Sequence, residues 1–187
     1  MTTPDQVEPG VTAPLAVVIG PPGAGKTTTG RALAALLEVP FLDTDEQVVA
    51  TTGRSVSEIF VAEGEPAFRA LEREAVTQAL GSQHGVVALG GGAPIQPELR
   101  ELLRGHRVVF LDVTIADASR RIGFDASRPL LNINPRGSWI TMMNERRPLY
   151  EAAATVRVDT NGRSAEEVAA IAAALLRPTA DSPQGGS

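Results

Sequence analysis

Cysteine is absent from this chain of 187 residues, and lysine occurs once, at Lys26. Without cysteine there is no disulfide framework, no thiolate nucleophile and no Cys-ligated zinc or iron–sulfur cluster. A lysine Schiff base would have only Lys26 to use. An Asn-Lys-x-Asp guanine-reading motif cannot exist, nor can a protein-kinase strand lysine in addition to a phosphate-loop lysine. Histidine is nearly absent too: His84 and His106 are isolated, so a His-based metal site is not expected. No apolar run approaches the roughly 20 residues that span a bilayer. The first residues, Met1–Pro14, carry neither the basic nor the apolar region of a secretory signal. A cytoplasmic location with no membrane partner is the expectation.

What is present is arginine, 16 of the 17 basic side chains. The net charge of −5 argues against non-specific nucleic-acid binding. Its distribution is uneven. Residues 1–99 carry 5 basic and 12 acidic groups, residues 100–163 carry 11 and 7, and residues 164–187 carry 1 and 3. A net-positive stretch inside an acidic chain points to a local anion site.

Length fits one domain, which could bury roughly 70% of its unfolded surface without staples. Residues 1–14 and 178–187 read as disordered tails around a domain at 15–177. Strands are expected at Leu15–Ile19, Pro40–Leu42, Val86–Leu89, Val108–Leu111 and Val156–Val158. Runs such as AVVI and VVFL are continuous rather than alternating, as in parallel strands buried on both faces. Helices are expected at Thr27–Leu37 and Ala67–Leu80, and after the capping boxes Ser55–Glu58 and Ser164–Glu167. Alternating β and α units give an α/β fold with a mainly parallel sheet. Phe124–Gly137 has two prolines and no clean period, which reads as a lid or binding loop.

Gly20-Pro-Pro-Gly-Ala-Gly-Lys26-Thr27 matches the phosphate loop G-x-x-x-x-G-K-[ST] in its required place, after a strand and before a helix. Glycine permits turns that aim successive N–H groups inward, and the helix end adds positive potential. Lys26 would reach the β- and γ-phosphates, and the Thr27 hydroxyl would ligate Mg²⁺. For the accompanying carboxylate, Asp43 and Asp45 after the second strand and Asp112 after the fourth are all candidates. If extended, Asp43 and Asp45 would point the same way, one toward a magnesium-bound water and the other toward a hydroxyl substrate. The Gly90-Gly91-Gly92 run offers bare backbone at a strand's C-terminal end, where open α/β sheets bind ligands.

Taken together, GPPGAGKTT, FLDTD, TGRSVSEIF, GEPAFRALE, ALGGG, SRPLL, RRPLY and VDTNGRS resemble the bacterial shikimate kinases, in the nucleoside-monophosphate-kinase-like group of P-loop proteins. The likeness covers about residues 15–176. It implies a three-layer α/β/α fold with five parallel strands in the order 2-3-1-4-5, and a mobile lid near 124–137. The implied reaction is ATP plus shikimate to ADP plus shikimate 3-phosphate, in aromatic amino-acid biosynthesis, with one Mg²⁺ per subunit and ATP as co-substrate.

By position, the resemblance makes Asp45 the partner of shikimate hydroxyls and candidate base, and links Asp43 to Mg²⁺ through water. Arg69 and Arg146 would hold the shikimate carboxylate, with Arg147 the alternative to Arg146. Glu72 would support that arginine cluster, Gly90–Gly92 would approach the substrate, and Phe60 and Phe68 would wall the pocket. Gly23, Ala24, Gly25, Lys26, Thr27 and Thr28 would cradle ATP. Arg121 and Arg163 would flank its adenine, and Arg128 would reach the transferred phosphate from the lid. A monomer is expected. The remaining arginines Arg100, Arg104, Arg107, Arg157 and Arg177 read as solvated, and Trp139 and Tyr150 as packing. Rival readings are a nucleoside-monophosphate or gluconate kinase on the same fold, or a non-catalytic nucleotide-binding regulator.

Overall fold

Short apolar runs of β-branched residues form the centre of the sheet, as their lack of alternation requires. The computed structural model describes residues 13–82, 84–122 and 134–176. Strands β1 (Ala16–Ile19), β3 (Val86–Ala88) and β4 (Val108–Asp112) are buried at every residue. Strands β2 (Phe41–Asp43) and β5 (Val156–Asp159) form the partly exposed edges. The order is β2-β3-β1-β4-β5 and every pairing is parallel. The central strands are buried on both faces, which requires helices on both sides. The three-layer arrangement and strand order are those expected.

Helix α1 (Lys26–Leu37) packs on the last helix, α7 (Ala165–Leu176), and places Leu33 in the main core. Helix α2 (Thr44–Thr52) leads to α3 (Val56–Ser82), which breaks at Gly64 (φ 83°, ψ 173°) ahead of Pro66. Left-handed backbone at Gly64 lets the chain turn and restart, with proline near the new start. Both capping boxes form: the Ser55 and Ser164 N–H groups donate to Glu58 and Glu167, whose own N–H groups donate back to the serine hydroxyls.

A 3₁₀ turn (Ala93–Ile95) and α4 (Pro97–Leu103) follow β3, α5 (Ile115–Ile122) follows β4, and α6 (Pro135–Ala153) precedes β5. A smaller core of Val48, Ile59, Phe68 and Ala75 lies between α2 and α3, apart from the main one.

The lid segment was expected to reach Gly137, yet α6 begins at Pro135, because Asn134 caps it by accepting from the Gly137 N–H at 2.8 Å. Asp43 and Asp45 do not share an extended stretch, since α2 starts at Thr44. Arg100 is not a solvated face residue. It donates to the Pro94 and Ile95 carbonyls at 2.7 Å each and pins the turn before α4. Residues 1–12 and 177–187, which take in most of the expected tails at 1–14 and 178–187, lie outside the described residues, as does Arg128 of the expected lid.

Candidate active site

The site assembles along the C-terminal edge of the sheet, where β1 gives way to the phosphate loop. Gly25 takes φ 84°, a left-handed conformation that an L side chain rarely adopts, and turns the loop into α1. Lys26 is half-buried and donates to the Pro21 carbonyl at 3.3 Å. Burial pushes its ammonium below the ordinary value, against the pull of Asp45 and Asp43. Both acids therefore face the lysine, by a route other than strand alternation. Asp43 ends β2 as the N-cap of α2, its Oδ1 accepting from the Asp45 N–H at 2.9 Å. Its Oδ2 accepts from the Thr27 hydroxyl at 2.6 Å. A hydroxyl and a carboxylate side by side form a hard-oxygen pair that suits a cation keeping most of its own waters, as Mg²⁺ does.

Asp45, the second residue of α2, has its carboxyl pushed up to about 6, first by burial and then by Asp43, with Lys26 opposing. Glu72 is 1% exposed, its charge held by Arg69, which donates to Oε2 at 2.6 Å. Asp45 Oδ1 and Glu72 Oε1 are buried without a hydrogen-bond partner among the described residues. Both face Gly90, where an added Cβ would lie 2.5 Å from Asp45 Oδ1 and 2.6 Å from Glu72 Oε1. Bare backbone at Gly90 is what lets two carboxylates of different helices converge there. Arg69 lies directly over Gly92, in space a side chain would fill. The same guanidinium donates to Glu65 at 2.9 Å and stands 5.5 Å over Phe68, whose ring is 4.8 Å from Phe60.

Helix α6 closes the far wall. The Tyr150 hydroxyl donates to the Gly91 carbonyl at 2.6 Å, and the Trp139 indole N–H to the Pro22 carbonyl at 3.1 Å. Both residues are packed as expected, but they also tie α6 to the glycine turn and the phosphate loop. The only sequence sign of this was the place of Tyr150 in RRPLY.

Of the adjacent arginines, Arg146 approaches Lys26 and Tyr150 closely enough to act on both ionisations. Arg147 turns the other way and binds Asp112, with 2.9 and 2.8 Å contacts to its two oxygens. Arg157 joins it at 2.5 Å, so it is an ion-pair partner rather than a free surface charge. Asp112 is thereby occupied by arginines, whereas Asp43 stands beside Thr27.

Burial alone would raise the Asp112 carboxyl, but Arg147 and Arg157 outweigh it and hold the group below its ordinary 3.8. A depressed carboxylate contributes stability above its unfolded pKa and loses it as pH falls through the folded value. Asp112→Asn is therefore expected to lower stability by about 1 kcal/mol near neutral pH, a figure discounted for the exposed arginines. The difference from the unmodified chain should shrink toward zero below the ordinary carboxylate pKa, as read by urea unfolding across that range.

On the other side of the phosphate loop, a cleft of about 100 Å³ is lined by Ala24, Gly25, Thr28, Arg121, Thr160 and Arg163 among others. Arg121 donates to the Gly23 and Ala24 carbonyls at 3.2 Å and to the Thr160 carbonyl at 2.7 Å. Arg163 donates to the Asp159 carbonyl at 2.6 Å. Two guanidinium groups thus flank an opening beside the loop that would hold phosphates.

Residues 22–176 match the family model for shikimate kinase. A shikimate kinase of Salinispora arenicola is 55% identical over 164 residues, covering 88% of this chain and 98% of that protein. One from Thermobifida fusca is 53% identical over 168 residues, 90% and 98% of the two chains. The solved shikimate kinase of Acinetobacter baumannii in complex with shikimate superposes with a TM-score of 0.82 at 36% identity, over 88% of this chain and 92% of that one. A gluconokinase from Sinorhizobium meliloti shares only the fold, with a TM-score of 0.60 at 20% identity over 89% and 92%. The phosphate loop, the sheet order and near-full-length identity agree, and the chain belongs to the shikimate kinase family.

Proposed function

We propose that the chain transfers the γ-phosphoryl group of ATP to the 3-hydroxyl of shikimate, giving shikimate 3-phosphate and ADP. One observation carries the reading. Asp45 and Glu72 converge over the Gly90 backbone and Arg69 lies over Gly92, while Arg146 stands near the phosphate-loop lysine, so hydroxyl-accepting and carboxylate-binding groups meet at one edge. Shikimate is a small carboxylate with three hydroxyls, which calls for that combination.

Arg69 and Arg146 orient the carboxylate end of the substrate, against the wall made by Phe60 and Phe68. Asp45 accepts a hydrogen bond from the attacking hydroxyl and takes its proton. Lys26 stays on the β- and γ-phosphates, and the loop N–H groups of Gly23, Gly25 and Thr27 hold the leaving side. By the family resemblance Arg128 would meet the transferred phosphate, and Arg121 and Arg163 flank the adenine. Mg²⁺, held by Thr27 and through water by Asp43, would neutralise phosphate charge. Most of this is positioning and charge neutralisation, which is what a loose phosphoryl-transfer transition state requires. We read the chain as a cytoplasmic monomer with two small anionic substrates; its net charge of −5 argues against non-specific nucleic-acid binding.

Coupled ADP release with ATP and magnesium, measured with shikimate beside gluconate and AMP, tests the assignment. Turnover is expected with shikimate alone; turnover with gluconate or AMP and none with shikimate would overturn it.

A further inference from the structure

We propose that Gln96 is a positioning residue for substrate binding, acting through Glu72 and oriented by Arg73. Gln96 is the N-cap of α4 and is only 9% exposed, yet its side chain makes no capping bond. The amide reaches across to α3 instead. Its Nε2 donates to Glu72 Oε2 at 2.8 Å, and its Oε1 accepts from Arg73 Nη1 at 2.7 Å. Arginine has donors and no acceptor, so Arg73 dictates which end of the amide it meets. The NH₂ end is thereby directed at a buried carboxylate, which is where a donor is required.

The consequence falls on the rotation of the Glu72 carboxylate. Oε2 is shared between Arg69 and Gln96, while Oε1 is left without a partner among the described residues and faces Gly90. Were Gln96 lost, Glu72 would be anchored at Oε2 by Arg69 alone. The carboxylate could then turn, carrying with it the guanidinium that lies over Gly92. The backbone under Gln96 is equally fixed: its N–H donates to the Ala93 carbonyl at 3.1 Å, and Arg100 pins the two preceding carbonyls. Arg73, Gln96, Glu72 and Arg69 form one chain of donors and acceptors ending at the substrate side.

The inference rests on the shikimate-phosphorylating reading. Its test compares Gln96→Glu and Gln96→Met with the unmodified chain, reading KM for shikimate, KM for ATP and kcat. Gln96→Glu keeps the shape and the acceptor facing Arg73 but sets a carboxylate against Glu72; Gln96→Met keeps the volume and removes both bonds. A hydrogen bond to a charged group corresponds to about a tenfold change. Both variants are therefore expected to raise the shikimate KM about tenfold, with the ATP KM and kcat changed less than about threefold. A merely structural role would lower thermal stability without separating the two KM values, so an unchanged shikimate KM in either variant overturns the proposal. Equal rises in both KM values overturn it as well. If the unmodified chain fails to turn over shikimate, the reading of the reaction falls; if it is active and the variants match it, only the role of Gln96 falls.

Discussion

Lys26→Ala is expected to reduce turnover about a thousand-fold or more, with thermal stability close to that of the unmodified chain. Charge stabilisation of a phosphoryl group in a water-poor site contributes on the order of 4 kcal/mol per well-placed donor, and no other lysine exists to substitute. The Arg146 guanidinium nearby is not an equivalent, because a planar fork does not reproduce the compact point charge of an ammonium. Stability should change little, since two effects oppose each other. Removing a desolvated ammonium relieves a burial penalty, while Asp43 and Asp45 lose the cation they face. Single-turnover ADP release and a thermal melt on the same preparation decide it; retained turnover would remove Lys26 from the reaction.

Asp45→Asn is expected to lower kcat by roughly 10²- to 10⁴-fold, the usual range for a positioned general base, while ATP binding stays near normal. Asparagine preserves the shape over Gly90 and still accepts a hydrogen bond, so the variant isolates the loss of proton acceptance. Burial and Asp43 hold the Asp45 carboxyl at about 6, making it a stronger base than an exposed aspartate. The KM for ATP should remain within about threefold, because Asp45 faces the substrate side of Lys26 rather than the Arg121–Arg163 cleft. Unchanged kcat would rule out an essential role for the carboxylate.

Much of this was legible along the chain, and the reason is locality. The phosphate loop, the two capping boxes and the buried parallel strands are each specified by a few contiguous residues. Their backbone angles and hydrogen-bond needs leave few alternatives. The error over Asp43 and Asp45 has the same origin. A two-residue spacing means one thing on a strand and another across a strand–helix junction, and the junction at Thr44 was not visible from periodicity. The adjacent arginines Arg146 and Arg147 were separable in principle by the 100° step of a helix. Which of them met the pocket depended on Asp112, from a strand 35 residues before Arg147. Gln96 gave no signal at all. A lone glutamine before a proline is ordinary until Glu72 and Arg73 of another helix stand on either side of its amide.

By itself, then, the sequence determined the fold class, the phosphate chemistry and the one lysine that serves it, because turn geometry and helix entry are properties of neighbouring residues. Only the tertiary structure decided which carboxylates converge over Gly90, which arginine faces the substrate side and which is consumed by Asp112. Those outcomes are set by how α2, α3, α4 and α6 pack around the sheet edge. A side chain's hydrogen-bond partner there is chosen by distance in space, on which its distance in sequence places almost no constraint.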